Sequence, residues 1–152
     1  MFNFLCDAKA VIKGSNRYPR IQGTFWFRKV KEGVLVTAKI YGLPNSNKVC
    51  EERIFAVHIH QKGDCSGTIS DPFANVGTHY NPDNCTHPQH AGDLQPLFSN
   101  NGYAYYSFIT NRFNINEIIG RSVIIHDKPD DFTTQPAGNS GNKIACGVIN
   151  KC

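Results

Sequence analysis

From Gly23 to Lys29 the side chains alternate, with Phe25 and Phe27 on one side and Thr24, Trp26 and Arg28 on the other. The same period of two returns from Val34 to Tyr41, where Val34, Val36, Ala38 and Ile40 oppose Leu35, Thr37, Lys39 and Tyr41. It returns again from Arg53 to His60, where Phe55, Val57 and Ile59 share a face. Successive side chains of a strand point to opposite faces, so this period belongs to sheet with one face in a core. Ala10-Val11-Ile12, Tyr103 to Ile109, Arg121 to His126 and Ile144 to Ile149 add further strand segments. Gly14-Ser15-Asn16, Lys31-Glu32-Gly33 and Gly42-Leu43-Pro44-Asn45-Ser46-Asn47 separate them with turn chemistry. Short strands, turn punctuation and no long helical periodicity predict an all-β, antiparallel sandwich or barrel. The 152 residues are one domain's worth, and no repeat, linker or low-complexity tract divides 1–152.

Two stretches escape the alternation. Gln61 to about Pro96 has no periodicity, and Asp127 to Lys143 carries Pro129, Pro136, Gly138 and Gly141. Loops of this length in a compact domain are functional, or else they argue against the assignment. Composition narrows the function classes. With 40% hydrophobic, 18% charged and 11% aromatic residues the chain is neither disordered nor membrane-spanning. A net charge of +4 suits small anions better than dedicated nucleic-acid binding, and no nucleic-acid or membrane partner is expected. The start Met1-Phe2-Asn3-Phe4-Leu5-Cys6 lacks the basic and apolar regions of a secretory signal, so a cytoplasmic location is expected. Six cysteines are too few for a disulfide-dense scaffold and many for a cytosolic enzyme.

The histidines are the chemical signal. All six lie at 58, 60, 79, 87, 90 and 126, and five of them fall between 58 and 90. His58-Ile59-His60 ends a strand, so both imidazoles project from one face as a bite for copper or zinc. His79, His87, His90 and Asp93 follow at spacings of eight, three and three. Three imidazoles and a carboxylate form the closed four-coordinate shell of structural zinc. His126 closes a strand whose Val123 and Ile125 face the core, so it points the same way as His58 and His60. Seven candidate ligands exceed one tetrahedral ion, which implies two adjacent ions.

Together with Gly77-Thr78-His79-Tyr80-Asn81-Pro82, His90-Ala91-Gly92-Asp93-Leu94, Ile119-Gly120-Arg121-Ser122-Val123-Ile124-Ile125-His126 and Gly138-Asn139-Ser140-Gly141-Asn142-Lys143-Ile144-Ala145-Cys146, these segments give the chain a family likeness. It resembles a copper,zinc superoxide dismutase over nearly its whole length. The resemblance implies an eight-stranded Greek-key β-barrel, an immunoglobulin-like sandwich with two long functional loops. It implies copper on His58, His60, His79 and His126, and zinc on His79, His87, His90 and Asp93, with His79 bridging as an imidazolate. The implied reaction converts the superoxide anion to oxygen and hydrogen peroxide by Cu(II)/Cu(I) cycling, with the His79 bridge opening to carry a proton. Asp130 is the implied carboxylate joining a copper-side histidine to a zinc-side one. The remaining acids Asp127 and Asp131 read as a solvated cluster.

The resemblance also implies one disulfide, Cys65 to Cys146, and a homodimer formed near Gly63-Asp64, Ile119-Gly120 and Val148-Ile149. Cys85 reads as a free loop thiol or a competing zinc ligand, and Cys6, Cys50 and Cys152 carry no role beyond packing. Lys143 stands where the family usually has arginine, which keeps the charge and loses the planar fork of donors. Pro136-Ala137 stands where the family commonly has Lys-Thr, so anion steering is expected to be weaker or to come from Lys62 and Lys128. The alternative class is a catalytically weak or inactive relative that delivers or merely binds copper. Metal-dependent hydrolysis fits less well, because an H-x-H-x-D-H site needs Asp where Lys62 stands; a structural zinc protein is the remaining option.

Overall fold

A computed structural model describes residues 5–152; the segment Met1–Phe4, on which the reading of the chain start partly rests, lies outside it. The alternation becomes strands β1 (Ala8–Gly14), β2 (Gln22–Val30) and β3 (Gly33–Tyr41), joined as antiparallel neighbours. Ala8, Ala10 and Ile12 of β1, Phe25 and Phe27 of β2, and Val34, Val36, Ala38 and Ile40 of β3 are all buried in one core. The alternation in the sequence therefore names the core face correctly.

The later strands are β4 (Ile54–Phe55), β5 (Val57–His60), β6 (Leu97–Phe98), β7 (Ala104–Thr110), β8 (Ser122–His126) and β9 (Lys143–Lys151). Of the nine strands among the described residues, seven form a curled antiparallel sheet in the order β5-β8-β9-β1-β2-β3-β7, and β4 pairs with β6 alone. A 3-10 turn at Ala74–Val76 and a single helical turn, α1 (Ile115–Ile118), are the helical pieces among the described residues.

The segment 53–60 is not one strand. It breaks at Ala56, whose N–H donates to Lys128 O and whose carbonyl accepts from His126 N–H, both at 2.9 Å. Phe55, Val57 and Ile59 remain on the core side. The break stitches the strand bearing His58 and His60 to the end of β8, where the last long loop begins.

β5 is an edge strand of the large sheet, and an edge leaves backbone groups in need of partners. The long segment after it supplies them. Ile59 N–H donates to Gly92 O and Tyr80 N–H donates to Ile59 O, each at 2.8 Å, while Leu94 N–H reaches Val57 O at 3.2 Å. Isolated bridges pair His60 with His79 and His58 with Asp93. The apparent loop is thus laid along β5 by backbone hydrogen bonds.

Nearer its start the same segment is pinned by a disulfide between Cys65 and Cys146. Cys65 and Cys146 pack with Phe73, Val76 and Ile124 in a second small apolar cluster. A second disulfide joins Cys6 to Cys152, which corrects the expectation that these two cysteines only pack. Cys50 and Cys85 are free and exposed.

Candidate metal centre

His58 and His60 leave β5 on one face, as alternation requires, and His126 arrives beside them at the end of β8. The β8–β9 ladder slips after Ile125, which pairs with Ala145, so that His126 pairs with Lys143. Such bulges re-aim side chains next to functional sites, and this one sets a lysine opposite a histidine. The edge pairing of the long segment adds His79 and Asp93, and its remaining turns add His87 and His90. These histidines project outward from the sheet, yet all are buried, because both long loops fold over them.

Three donor groups result, with ligand atoms within 4.8 Å of one another: His58, His60, His79 and His126; His79, His87, His90 and Asp93; and His58, His87 and Asp130. His79 belongs to the first two and stacks on His58 with ring centroids 3.8 Å apart. The predicted ligands are therefore brought together in the two expected sets, and Cys85 belongs to neither.

Hydrogen bonds fix which ring nitrogens are bare. His60 Nδ1 lies 2.8 Å from Gly77 O, which only accepts, so Nδ1 carries the proton. His60 Nε2 is then a buried lone pair without a partner. Asp130 accepts from His58 Nε2 through Oδ2 at 2.7 Å and from His87 Nε2 through Oδ1 at 2.8 Å. The other nitrogens of both rings are thereby bare and face their groups. His58 Nδ1 lies 3.0 Å from His126 Nε2. His87 Nδ1 lies 3.0 Å from Asp93 Oδ2 without hydrogen-bond geometry, a lone pair facing a carboxylate oxygen. His79 Nδ1 and His90 Nδ1 approach Asp93 at 2.9 and 3.3 Å. Orphaned lone pairs converging in a buried site are what a cation would satisfy. The first set offers imidazoles alone, which suit copper, and the second offers the closed mixed shell of zinc.

Electrostatics keep the donors ready to bind. Burial, reinforced by neighbouring imidazoles, holds His58 and His126 well below the ordinary histidine range. Burial brings His60 down to about 3 and also lowers His90. Burial pushes Asp93 up, but the hydrogen bond from His79 and the surrounding imidazoles outweigh it and leave its carboxyl below the usual range. At neutral pH His58, His60, His90 and His126 are therefore neutral and Asp93 is ionised, which is the state metals bind.

Several supporting residues have no sequence signal. Gln135 accepts from His87 N–H through Oε1 at 2.8 Å and donates to His87 O through Nε2 at 2.7 Å. Arg112 donates to Pro88 O at 2.7 Å and His90 O at 3.3 Å, holding the turn that bears two ligands. Asp127 and Asp131 are not a merely solvated cluster. Asp127 accepts from the backbone and side chain of Asn142, and Asp131 caps the Thr133–Thr134 turn, whose hydrogen bonds lower its carboxyl to about 2.

A cleft of about 480 Å³ opens over the first set, lined by His60, His79, Asn81, His126, Pro136 and Lys143 among others. Lys143 reaches it from the start of β9, but its Nζ donates to Asp71 Oδ2 at 2.6 Å. Lys62 and Lys128 are exposed and outside the cleft lining.

The chain is similar to known proteins. The family described as "Copper/zinc superoxide dismutase (SODC)" matches residues 21–149. Superoxide dismutase (Cu-Zn) A of Xenopus laevis is 32% identical, covering 97% of this chain and 99% of its own. Superoxide dismutase (Cu-Zn) 2 of Aquifex aeolicus is 30% identical over 97% and 90%. The copper chaperone for superoxide dismutase of Rattus norvegicus is 30% identical over 93% of this chain and 52% of its own. Among solved structures, a double mutant of a SOD-like protein from Bacillus subtilis superposes with a TM-score of 0.75 at 27% identity, covering 93% and 96%. The two donor sets and the family agree on copper and zinc as the metals. A histidine-rich site held between an edge strand and two covering loops, matched in sequence from residue 21 to residue 149, makes this chain a member of the copper/zinc superoxide dismutase family.

Proposed function

We propose that the protein is a superoxide dismutase, taking two superoxide anions and two protons to oxygen and hydrogen peroxide. The observation that supports this most directly is His79, one ring shared by the two donor sets. In this reading His58, His60, His79 and His126 hold copper, and His79, His87, His90 and Asp93 hold zinc. Copper, when bound, supplies one-electron chemistry by alternating between Cu(II) and Cu(I), beside a zinc that has none.

The chain's own residues do the rest. His79 Nδ1 is engaged with Asp93 and His90, so Nε2 is the atom left to hold a proton and release it into the cleft. Asp130 orients His58 and His87 together, so the two metal sets share one support. Lys143, opposite His126, attracts the anion. The family's dimer segments are adjacent here, with Gly63 packed against Gly120 and Val148, and a homodimer through that face is part of the proposal.

A second reading is a weak or inactive copper-binding relative, favoured by a lysine in the anion-guiding position and by its capture in an ion pair. Metal analysis of the purified protein, combined with a superoxide-consumption assay, separates the two. Copper and zinc near one each, with a Cu(II) signal bleached by superoxide, is the expected result. Zinc alone, or bound copper without consumption, overturns the dismutase. Elution as a monomer at micromolar concentration overturns the dimer.

A further inference from the structure

Asp71 is the charged partner of the cleft's lysine, and its own position is fixed by the turn that bears it. The Asp71 carbonyl accepts from Thr68 N–H at 2.8 Å and Ala74 N–H at 3.2 Å. Its own N–H donates to Thr68 Oγ1 at 3.0 Å, and its Oδ1 accepts from Phe73 N–H at 3.2 Å. Phe73 is buried against Ile124 and Cys146, on the strands that carry His126 and Lys143. The second carboxylate oxygen is thus built to face Lys143, whose side chain is 19% exposed against 40% for Asp71.

A lysine ammonium has three donors, and here one is committed to a fixed carboxylate. An approaching monoanion therefore meets a dipole in place of a single positive charge. Lys143 lines the cleft beside His60 and His126, so its ion pair with Asp71 stands at the edge of the metal face. The pair is partly shielded from water, so salt does not fully screen either member.

We propose that Asp71 is a specificity-determining residue that attenuates anion capture in the cleft by competing with the incoming anion for Lys143 Nζ. The proposal rests on the dismutase reading for its substrate, but the competition applies to any small anion reaching the metal face. Strong anions gain by displacing the carboxylate contact, and weak ones are turned away. The ion pair also flattens the salt dependence that an isolated lysine would give.

The test uses the copper- and zinc-loaded protein, with azide as the anion and the Cu(II) absorption band as the readout. Asp71→Asn keeps the turn and removes the charge. It should tighten azide binding about fivefold at low ionic strength, as expected for deleting one nearby charge at a partly shielded site. The gain should shrink at high salt and vanish in Asp71→Asn combined with Lys143→Gln. Superoxide consumption at low salt should rise in parallel. Unchanged or weaker azide binding in Asp71→Asn, with an unaltered azide-free spectrum, overturns the proposal. If Asp71→Asn does not fold, Asp71→Ser read against Lys143→Gln alone decides the same question, because removing the lysine must weaken azide binding and removing the acid must strengthen it. If the loaded native protein consumes no superoxide, the dismutase reading fails while the azide titrations still judge Asp71.

Discussion

Gly138 stands directly over Asp130: a Cβ at position 138 would fall on Asp130 Oδ1 and within 2.6 Å of His87 Nε2. Its φ of 68° lies in the left-handed region as well, so this position requires glycine twice over. Gly138→Ala is predicted to displace Asp130 and free the His87 ring. Zinc affinity should fall about 10- to 100-fold, the usual cost of losing a partner of a ligating histidine. Gly120→Ala is the control. Its φ is 80° but a Cβ there meets nothing within 4 Å, so it should cost about 1–2 kcal/mol of backbone strain and leave metal affinity alone. Chelator competition and thermal melts of both variants check the pair.

Asp130 touches one histidine of each donor set, at 2.7 and 2.8 Å, so its removal should be felt at both. Asp130→Asn keeps the size but offers only one accepting oxygen. We expect both copper and zinc to bind about tenfold or more weakly. Loss confined to zinc in a paired copper and zinc competition would mean that His58 is held in place by its stacking on His79 and not by Asp130.

The strands and the ligands were legible in the sequence for different reasons. Alternation reports burial directly, which is why Phe25, Phe27, Val57 and Ile59 could be placed in the core. The six histidines are legible because they cluster, and clustering of that residue type has few other causes. The course of 61–96 was not legible, since its pairing with β5 is made by backbone groups that leave no side-chain pattern. Contacts between distant positions were hidden for the same reason. Lys143 and Asp71 are 72 residues apart, and Gln135 reaches His87 across 48. Six cysteines allow many pairings, so Cys6 with Cys152 could not be chosen by counting.

That terminal disulfide should matter for stability and not for the metals. β9 runs from Lys143 at the cleft to Lys151 beside Ala8, nine residues or roughly 30 Å of strand, so Cys152 is at the far end. Closing 146 residues of chain sets a ceiling of about 5 kcal/mol on its effect, with about 2–4 kcal/mol typical. Cys6→Ser with Cys152→Ser should lower the denaturation midpoint while metal content stays that of the native protein. Cys65→Ser with Cys146→Ser should lower both, because that disulfide pins the segment leading to His79. Equal metal loss in the two variants would contradict this division.

Removing the metals should make the protein acid-sensitive in a defined window. In the unfolded chain an imidazole titrates near pH 6.5. In the folded chain burial holds His58 and His126 well below that value and His60 at about 3. Below about pH 6.5 the unfolded state therefore binds protons that the folded state refuses, and stability falls as pH falls. Each histidine held neutral contributes a loss of about 1.4 kcal/mol per pH unit until its folded value is reached. Chelated protein should thus lose stability from about pH 6.5 downward, with several histidines acting together, and the slope should flatten above that point. Urea midpoints of the metal-free protein across this range measure the effect. The metal-loaded protein should hold its midpoint to lower pH, because a bound cation occupies the bare nitrogens and binds the assembled folded site more tightly than the unfolded chain. A flat profile for the metal-free protein between about pH 7 and pH 4.5 would mean that the site opens and hydrates once its metals leave, exposing the rings that the two loops otherwise cover.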